Sequence, residues 1–257
     1  MKLALISLSN EGALLLFRLA RCFPEARLFL HEKCRPDLPG ERFGQITALT
    51  RKIFGEYRGL VFAVPAGVAV RAIAPLIRHK KEDPAVVVLD VVGRFAISLL
   101  SGHEGGANDL ALAAGNILGA EPVITTTTEA LKTVIVGVGC RRGAPAQKIQ
   151  EAVEAALDET GIGKEEVRWL ASADIKADEA GLIQAAQTLG IPYRLVDSEE
   201  IRLSTRPFQR SEFVRQKVNL PAVAEASALL AGRRTRLILP RKIFNGVTVA
   251  LARENFT

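Results

Sequence analysis

Long hydrophobic runs, paired cysteines and leader patterns are all missing from this chain. No apolar run reaches the roughly 20 residues that a membrane-spanning helix needs, so we expect no membrane association. The three cysteines, Cys22, Cys34 and Cys140, are odd in number and widely spaced. This argues against a disulfide framework and is typical of a reducing cytosol. The first residues run directly into a strand-like segment without a cleavage pattern, so we expect a cytoplasmic protein with no secretory signal.

Motifs for metals and nucleic acids are also missing. No CxxC or HxxxH spacing occurs, so we expect no metal ion held by protein ligands. Aromatic residues make up only 5% of the 257 residues, and RNA-binding motifs, zinc fingers and Arg-rich tracts are absent. The net charge of +6 has three interpretations: nucleic acid binding, attraction of a polycarboxylate small molecule, or solubility alone.

What the chain does have is enough apolar sequence, 48%, for a substantial core in one large or two ordinary domains. Strand-like and helix-like segments alternate, which predicts a mostly parallel sheet with helices on both faces. The pattern restarts at residue 133 and ends with a hairpin around Asn245-Gly246. We predict an α/β fold, with a doubly wound, mostly parallel sheet domain at residues 1–128 and a second, smaller α/β domain at residues 132–257.

The most informative segment is the glycine-rich turn SGHEGGAN at residues 101–108. A strand-like run precedes it and a helix-like stretch follows, an arrangement that presents backbone N–H groups and polar side chains to an anionic ligand. Histidine exchanges protons near neutral pH, so His103 can act as a general base or as a donor to an oxyanion. The alternative is a turn that only caps the helix, with Ser101 or Asn108 as the helix-start residue.

A second loop, VGVGCRRG at residues 136–143, also follows a strand-like run. Its spacing matches neither nucleotide-binding glycine motif, whereas the guanidinium groups of Arg141 and Arg142 suit carboxylates. Cys140 is either a nucleophile at a helix start or a small packing residue.

Three further candidates lie in the second half. The corner SADIKADE at residues 172–179 places Lys176 and Glu179 three residues apart, where they can form an ion pair or flank a ligand. Ser211 opens a helix-like stretch. Glu225 is a lone carboxylate among Ala and Val, so it needs a partner or a raised pKa.

Taken in order, these segments resemble the CbiG family of cobalamin biosynthesis, the cobalt-precorrin-5A hydrolases. The resemblance covers nearly the whole chain. It is carried by GLVF at 59–62, GVAVRAIAPL at 67–76, DPAVVVLD at 83–90, SGHEGGAN at 101–108, PVITT at 122–126, VGVGCRRG at 136–143, SADIKADEAGL at 172–182, SEFV at 211–214, VAEASALL at 223–230 and VTVALAR at 247–253.

The chain departs from this family in three places. Longer members carry a middle domain, whereas here TTTTEA at residues 125–130 leads almost directly into the second half. The usual Thr-Ala-Thr-Asp ending of that strand is changed, and Pro65-Ala66 stands where a small residue and Thr are more usual. The resemblance is therefore to a short form without the middle domain.

The resemblance implies an enzyme that opens the δ-lactone of cobalt-precorrin-5A and releases acetaldehyde to give cobalt-precorrin-5B. It implies that His103, Glu104 and Asn108 are catalytic, because lactone opening needs an activated water and a stabilised oxyanion. The residues it implies for substrate binding are Arg71, Ser101, Gly102, Gly105, Gly106, Gly139, Cys140, Arg141, Arg142, Lys176, Glu179, Ser211 and Glu225.

No separate cofactor is implied, because the conjugated macrocycle serves as the electron sink and carries its own cobalt. The expected partner is this small-molecule cobalt-corrinoid precursor, with no nucleic acid and no membrane. Neighbouring methyltransferases of the pathway and a second copy in a homodimer are further partners that the resemblance allows. The rival interpretation is a non-catalytic protein that binds or delivers the tetrapyrrole.

Overall fold

A computed structural model describes residues 1–209 and 219–256 of the chain. The chain divides into two compact units, Met1–Thr126 and Thr127–Thr257. Of the residues predicted to form the site, Ser211 lies outside the described residues.

The first unit is built on a seven-stranded sheet in the order β3-β2-β1-β4-β5-β6-β7. Its strands are β1 (Leu3–Ser7), β2 (Arg27–His31), β3 (Glu41–Phe43), β4 (Gly59–Ala63), β5 (Ala85–Leu89), β6 (Phe95–Leu100) and β7 (Glu121–Val123). Its helices are α1 (Asn10–Ala20), α2 (Ile46–Ile53), α3 (Ala66–Ile73) and α4 (Ala107–Leu118). All neighbouring strands are parallel except the pair β5 and β6.

Continuous apolar strands explain why both faces of this sheet are covered. Successive side chains of a strand point to opposite faces, so Leu3 and Leu5 pack with α1 and α4, while Ala4 and Ile6 pack with α2 and α3. A strand that is buried on both faces needs mostly apolar residues, and β1 has them at four successive positions, Leu3 to Ile6. The predicted doubly wound α/β fold is confirmed.

The antiparallel pair β5 and β6 decides where the glycine-rich turn lies. Leu89 pairs with Ala96 and Val86 pairs with Leu100, so β6 ends beside the start of β5. Only residues 90–94 connect the two strands, too few for the crossover that a parallel pair requires. The turn after β6 therefore lies at the edge of the sheet where β4 and β5 begin, opposite the edge where they end.

The second unit has a smaller sheet of five strands in the order β10-β9-β8-β12-β11. Its strands are β8 (Val134–Gly139), β9 (Val167–Ala173), β10 (Tyr193–Val196), β11 (Thr235–Phe244) and β12 (Val247–Glu254). Its helices are α5 (Thr127–Ala130), α6 (Ala146–Thr160), α7 (Ala180–Leu189), α8 (Ser198–Leu203) and α9 (Ala224–Leu230).

In this sheet β8, β9 and β10 are parallel, and the closing hairpin of β11 and β12 joins β8 in the antiparallel sense. The hairpin turns at Asn245 and Gly246, whose φ angles of 48° and 84° suit the twist of antiparallel strands, and it is the one predicted. Helices α6 and α7 cover one face of the sheet and α9 packs on the other.

Candidate functional site

The glycine-rich turn is a tight backbone structure between β6 and α4. Ser101 adopts a left-handed φ of 56°, which is uncommon for a residue with a side chain. Its carbonyl accepts the N–H groups of Gly105 and Ala107, both at 3.1 Å, and the Gly102 carbonyl accepts that of Asn108 at 2.9 Å. The backbone N–H groups of Gly105, Ala107 and Asn108 thus donate hydrogen bonds within the turn itself.

Two of its glycines are explained by close packing within the unit. A Cβ atom on Gly105 would collide with the Cβ of Ser101 and would lie 3.3 Å from the Asp83 carbonyl. On Gly102 it would lie 2.8 Å from Oδ1 of Asn108. Glycine is therefore needed at these positions whether or not a ligand approaches the backbone.

Asn108 supports the turn from inside the unit. It is 8% exposed, its Oδ1 accepts the hydroxyl of Ser98 at 2.8 Å, and its Nδ2 donates to the hydroxyl of Thr126 at 3.0 Å. Both ends of the amide are thus engaged. Within the described residues, the hydroxyl of Ser101 is buried and has no hydrogen-bond partner.

His103 and Glu104 occupy the exposed tip of the turn. Nζ of Lys80 lies 2.9 Å from Oε1 of Glu104. The hydrogen bond from Lys80 is the largest influence on Glu104 and holds the pKa of its carboxyl below the ordinary value. A carboxylate with a lowered pKa is a weaker base, so Glu104 is poorly suited to accept the first proton.

The structure does not bring Arg71 to this turn. Its Nη1 donates to the Gly67 carbonyl at 3.2 Å, and Gly67 follows the end of β4, at the opposite edge of the sheet. The cation that does contact the turn is Lys80, which belongs to a basic run at residues 78–81 that sequence reasoning missed. The signal was present, because Arg78, His79, Lys80 and Lys81 form a basic run that is separated from the DPAVVVLD segment only by Glu82.

In the second unit, Lys176 and Glu179 form a buried ion pair at a corner of the chain. The two residues are 8% and 3% exposed, and Nζ of Lys176 donates to Oε2 of Glu179 at 3.0 Å. The other oxygen, Oε1, accepts the backbone N–H of Gly143 at 2.8 Å. The pair therefore joins the loop after β8 to the corner after β9.

The exposed residues of the same loop differ from this pair. Nη1 of Arg142 lies 2.9 Å from Oδ2 of Asp178, and both side chains are largely exposed. Arg141 is exposed as well. Gly139 is partly buried, and a Cβ there would lie 3.5 Å from Cβ of Val223. Only the two arginines in this loop present charge to solvent.

Cys140 lies half-buried behind the arginines. Burial raises the pKa of its thiol, while Lys176 acts in the opposite direction. Because the thiolate is the nucleophile, this environment disfavours a catalytic cysteine at neutral pH and favours the packing interpretation.

Glu225 is held by backbone groups. It is 1% exposed, its Oε2 accepts the N–H of Gln209 at 2.5 Å, and its Oε1 accepts the N–H of Arg241 at 2.8 Å. The lone carboxylate thus has partners for both oxygens and ties two chain segments to the start of α9.

The described residues contain neither a metal-ligand cluster nor a membrane-spanning helix. In residues 1–209 and 219–256, no three His, Cys, Asp or Glu side chains are grouped so that they could hold a metal ion. No helix in those ranges has the length and apolar character to cross a membrane.

Family comparisons match both units. The family described as "Cobalamin synthesis G N-terminal" matches residues 48–129, and "Cobalamin synthesis G C-terminus" matches residues 134–252. The two matches nearly meet, because only residues 130–133 separate them.

Two curated relatives align with the chain over nearly its whole length, and a third aligns with about half of it. A cobalt-precorrin-5A hydrolase of Salmonella typhimurium is 27% identical over 343 aligned positions, which cover 97% of each chain. The hydrolase of Priestia megaterium is 24% identical and covers 97% of this chain and 94% of its own. Protein CobE of a Sinorhizobium species is 33% identical over 49% of this chain and 83% of its own. The first alignment exceeds the 257 residues of this chain, so the Salmonella protein has residues that this chain lacks.

Two solved structures are similar as well. The crystal structure of CobE has a TM-score of 0.45 and 31% identity over 48% of this chain and 91% of that chain. A cobalamin biosynthesis protein G homologue from Sulfolobus solfataricus has a TM-score of 0.39 and 20% identity over 98% of this chain and 97% of that chain. From the two family matches and the 33% identical relative, we conclude that this chain belongs to the CbiG family of cobalamin biosynthesis.

Proposed function

We propose that this chain is a cytoplasmic cobalt-precorrin-5A hydrolase, which opens the δ-lactone of its substrate and releases acetaldehyde. The observation that carries the proposal is the end-to-end alignment with two proteins of that name. The exposed His103 beside an ion-paired carboxylate supplies a group able to start the reaction.

In the first step, His103 takes a proton from water, and the hydroxide attacks the lactone carbonyl. The carbon–oxygen bond of the ring breaks, and a proton goes to the leaving oxygen, which gives a carboxylate and a free alcohol. Glu104 is the second polar group at the turn. Its lowered pKa keeps it ionised, so it suits orienting the imidazolium that forms rather than taking the first proton.

In the second step, the alcohol loses its proton and the bond between its carbon and the macrocycle breaks. The alcohol carbon leaves as acetaldehyde. The electron pair of the broken bond passes into the conjugated macrocycle, where a proton then replaces the lost fragment. Cobalt enters as part of the substrate, and no other cofactor takes part.

Three of the turn's backbone N–H groups are not available to stabilise an oxyanion. The N–H groups of Gly105, Ala107 and Asn108 already donate within the unit, as does the Asn108 amide. The ammonium of Lys80, 2.9 Å from Glu104, lies at the turn and can stabilise developing negative charge. We therefore regard Asn108 as a positioning residue.

The test is incubation of the purified chain with cobalt-precorrin-5A, followed by mass spectrometry of the tetrapyrrole and trapping of the aldehyde. We expect a product that is lighter by acetaldehyde and heavier by water, with stoichiometric acetaldehyde. If the tetrapyrrole binds but is recovered unchanged, the chain is a binding or delivery protein and the proposal is wrong.

A further inference from the structure

Residues 78–81, which we call the basic segment, have four basic side chains, and the proposed reaction uses only one of them. The segment consists of Arg78, His79, Lys80 and Lys81, and all four are exposed. It lies in the connection between the short helical turn Ala74–Leu76 and strand β5. The reaction as proposed involves only Lys80.

The backbone of the basic segment is held in a fixed conformation. Asp83 is 6% exposed, and its two carboxylate oxygens accept the backbone N–H of Arg78 at 3.1 and 3.0 Å. The His79 carbonyl accepts the N–H groups of Glu82 and Asp83, each at 2.9 Å. Ordering this segment therefore costs little when a ligand arrives, which favours binding.

Two contacts place the basic segment against the candidate site. Lys80 reaches Glu104 at the tip of the turn, and a Cβ on Gly105 would lie 3.3 Å from the Asp83 carbonyl. Both follow from the antiparallel pairing of β5 and β6, which brings the connection before β5 and the turn after β6 to the same edge.

The segment has more positive charge than its neighbours neutralise. Lys80 is paired with Glu104, whereas Arg78 and Lys81 form no ion pair with any residue in the described ranges 1–209 and 219–256. Glu82 and Asp83 offset part of the charge, but the Asp83 carboxylate is buried against the backbone. No aromatic residue lies within the segment, so it lacks the stacking surface of a single-stranded nucleic acid site.

We infer that the basic segment binds peripheral carboxylates of the tetrapyrrole substrate, with Arg78 and Lys81 as the contacting cations. The identity of the ligand rests on the proposed function. The chemistry recognised is a rigid macrocycle with several carboxylates, because two cations on one ordered backbone segment bind such a ligand better than they bind separate carboxylates. The segment thereby selects substrates by the number of their acidic arms.

The test uses two commercially available free-base porphyrins and the full-length chain. Uroporphyrin has two carboxylates on each pyrrole ring, and coproporphyrin has one. Dissociation constants are measured by fluorescence for the wild type, for Arg78→Gln/Lys81→Gln, and for Arg21→Gln/Lys33→Gln. The last variant removes the same charge from exposed residues elsewhere in the first unit. Circular dichroism and unfolding midpoints confirm that all three proteins are folded.

We expect the wild type to bind uroporphyrin more tightly than coproporphyrin. The Arg78→Gln/Lys81→Gln variant should bind uroporphyrin more weakly by on the order of tenfold. Its binding should depend less on salt, and its preference for uroporphyrin over coproporphyrin should be smaller than that of the wild type. The control variant should bind as the wild type does. Equal weakening in both variants, or no binding of uroporphyrin by the wild type, would overturn the inference.

The same variants separate this inference from the proposed function. If cobalt-precorrin-5A is hydrolysed, the KM of Arg78→Gln/Lys81→Gln should rise while kcat changes little. If this variant hydrolyses the substrate with an unchanged KM, the inference that the basic segment binds substrate is wrong and the enzyme assignment still holds. If porphyrin binding depends on these charges but no acetaldehyde is released, the enzyme assignment is wrong and the binding role of the basic segment is supported.

Discussion

Each unit has charged residues on a turn between a strand and a helix, and the surroundings of the two turns differ. In the first unit, His103 and Glu104 are exposed, and Glu104 has a single, largely exposed partner in Lys80. In the second unit, Lys176 and Glu179 are buried, and Glu179 also accepts a backbone N–H from Gly143. The first turn offers its polar groups to solvent, whereas the second uses them to join segments of its own unit.

Desolvation explains this difference. A buried carboxylate is costly unless both oxygens have partners, and Glu179 and Glu225 each have two. Groups that are fully engaged in this way have little capacity left for a substrate. The comparison therefore supports our proposal that the chemistry lies at the turn of the first unit, and it indicates a structural role for the corner of the second.

The largest expected effect is on catalysis at the exposed turn. We expect His103→Ala to lower kcat for acetaldehyde release by about 10²–10⁴-fold, which is typical for loss of a general base, while the unfolding midpoint stays unchanged because His103 is exposed. Single-turnover assays with trapped aldehyde measure this. The control is His31→Gln, since His31 is at the other edge of the same sheet, where β2 ends. An unchanged rate in His103→Ala would make our catalytic assignment wrong.

The next largest effect concerns stability at the buried corner. We expect Glu179→Ala to reduce the free energy of unfolding by about 3–5 kcal/mol, because it leaves a buried ammonium without its partner. Asp178→Asn is the matched control one residue away. It breaks an ion pair that is largely exposed, so we expect no measurable change. Urea unfolding of both variants gives the comparison, and equal losses would show that burial does not distinguish the two pairs.

Much of the fold could be predicted from local patterns. The apolar strands β1, β4, β5 and β8 and the hairpin at Asn245-Gly246 have clear signals. The elements missed were β2, β3 and α2, which lie between residues 27 and 53, and the short helices α5 and α8. Charged residues in β2 and β3 and β-branched residues in α2 blur both periodicities, and their positions are set by packing against the rest of the sheet.

The sequence indicated candidate site residues but not which of them lie together in the fold. Sequence reasoning found the turn at residues 101–108, yet it grouped Arg71 with the turn and overlooked residues 78–81. The grouping depends on the sense of strand pairing, and the alternating pattern predicted a mostly parallel sheet without indicating which pair is antiparallel. The five-residue connection between β5 and β6 held the information, since it permits only an antiparallel pair. Glu104 and Glu179 differ in how deeply they are buried. This difference follows from tertiary packing, and the sequence around each residue does not reveal it.

A smaller effect is expected for the support beneath the exposed turn. Asn108→Ala should lower the free energy of unfolding by about 1–3 kcal/mol, because the hydroxyls of Ser98 and Thr126 lose a buried partner. Ser101→Ala is the comparison, since its buried hydroxyl has no partner in the described residues and its loss should cost less. Thermal unfolding of the two variants measures the difference. A larger loss for Ser101→Ala would contradict our assignment of Asn108 as the positioning residue.

The smallest effect on activity is expected for substitution of Cys140, because this residue lies in the second unit and we assign the reaction to the turn of the first. Because burial raises the pKa of this thiol, the thiolate forms only at a pH above its ordinary range. Alkylation by iodoacetamide should therefore be slower at Cys140 than at the exposed Cys22 near neutral pH, and should accelerate as the pH rises toward the raised pKa. Peptide mass spectrometry resolves the two sites, and Cys140→Ser should release acetaldehyde at the wild-type rate. Rapid alkylation of Cys140 at neutral pH, together with an inactive Cys140→Ser variant, would instead indicate a nucleophile in the second unit. That result would contradict our contrast between a reactive turn in the first unit and a structural corner in the second.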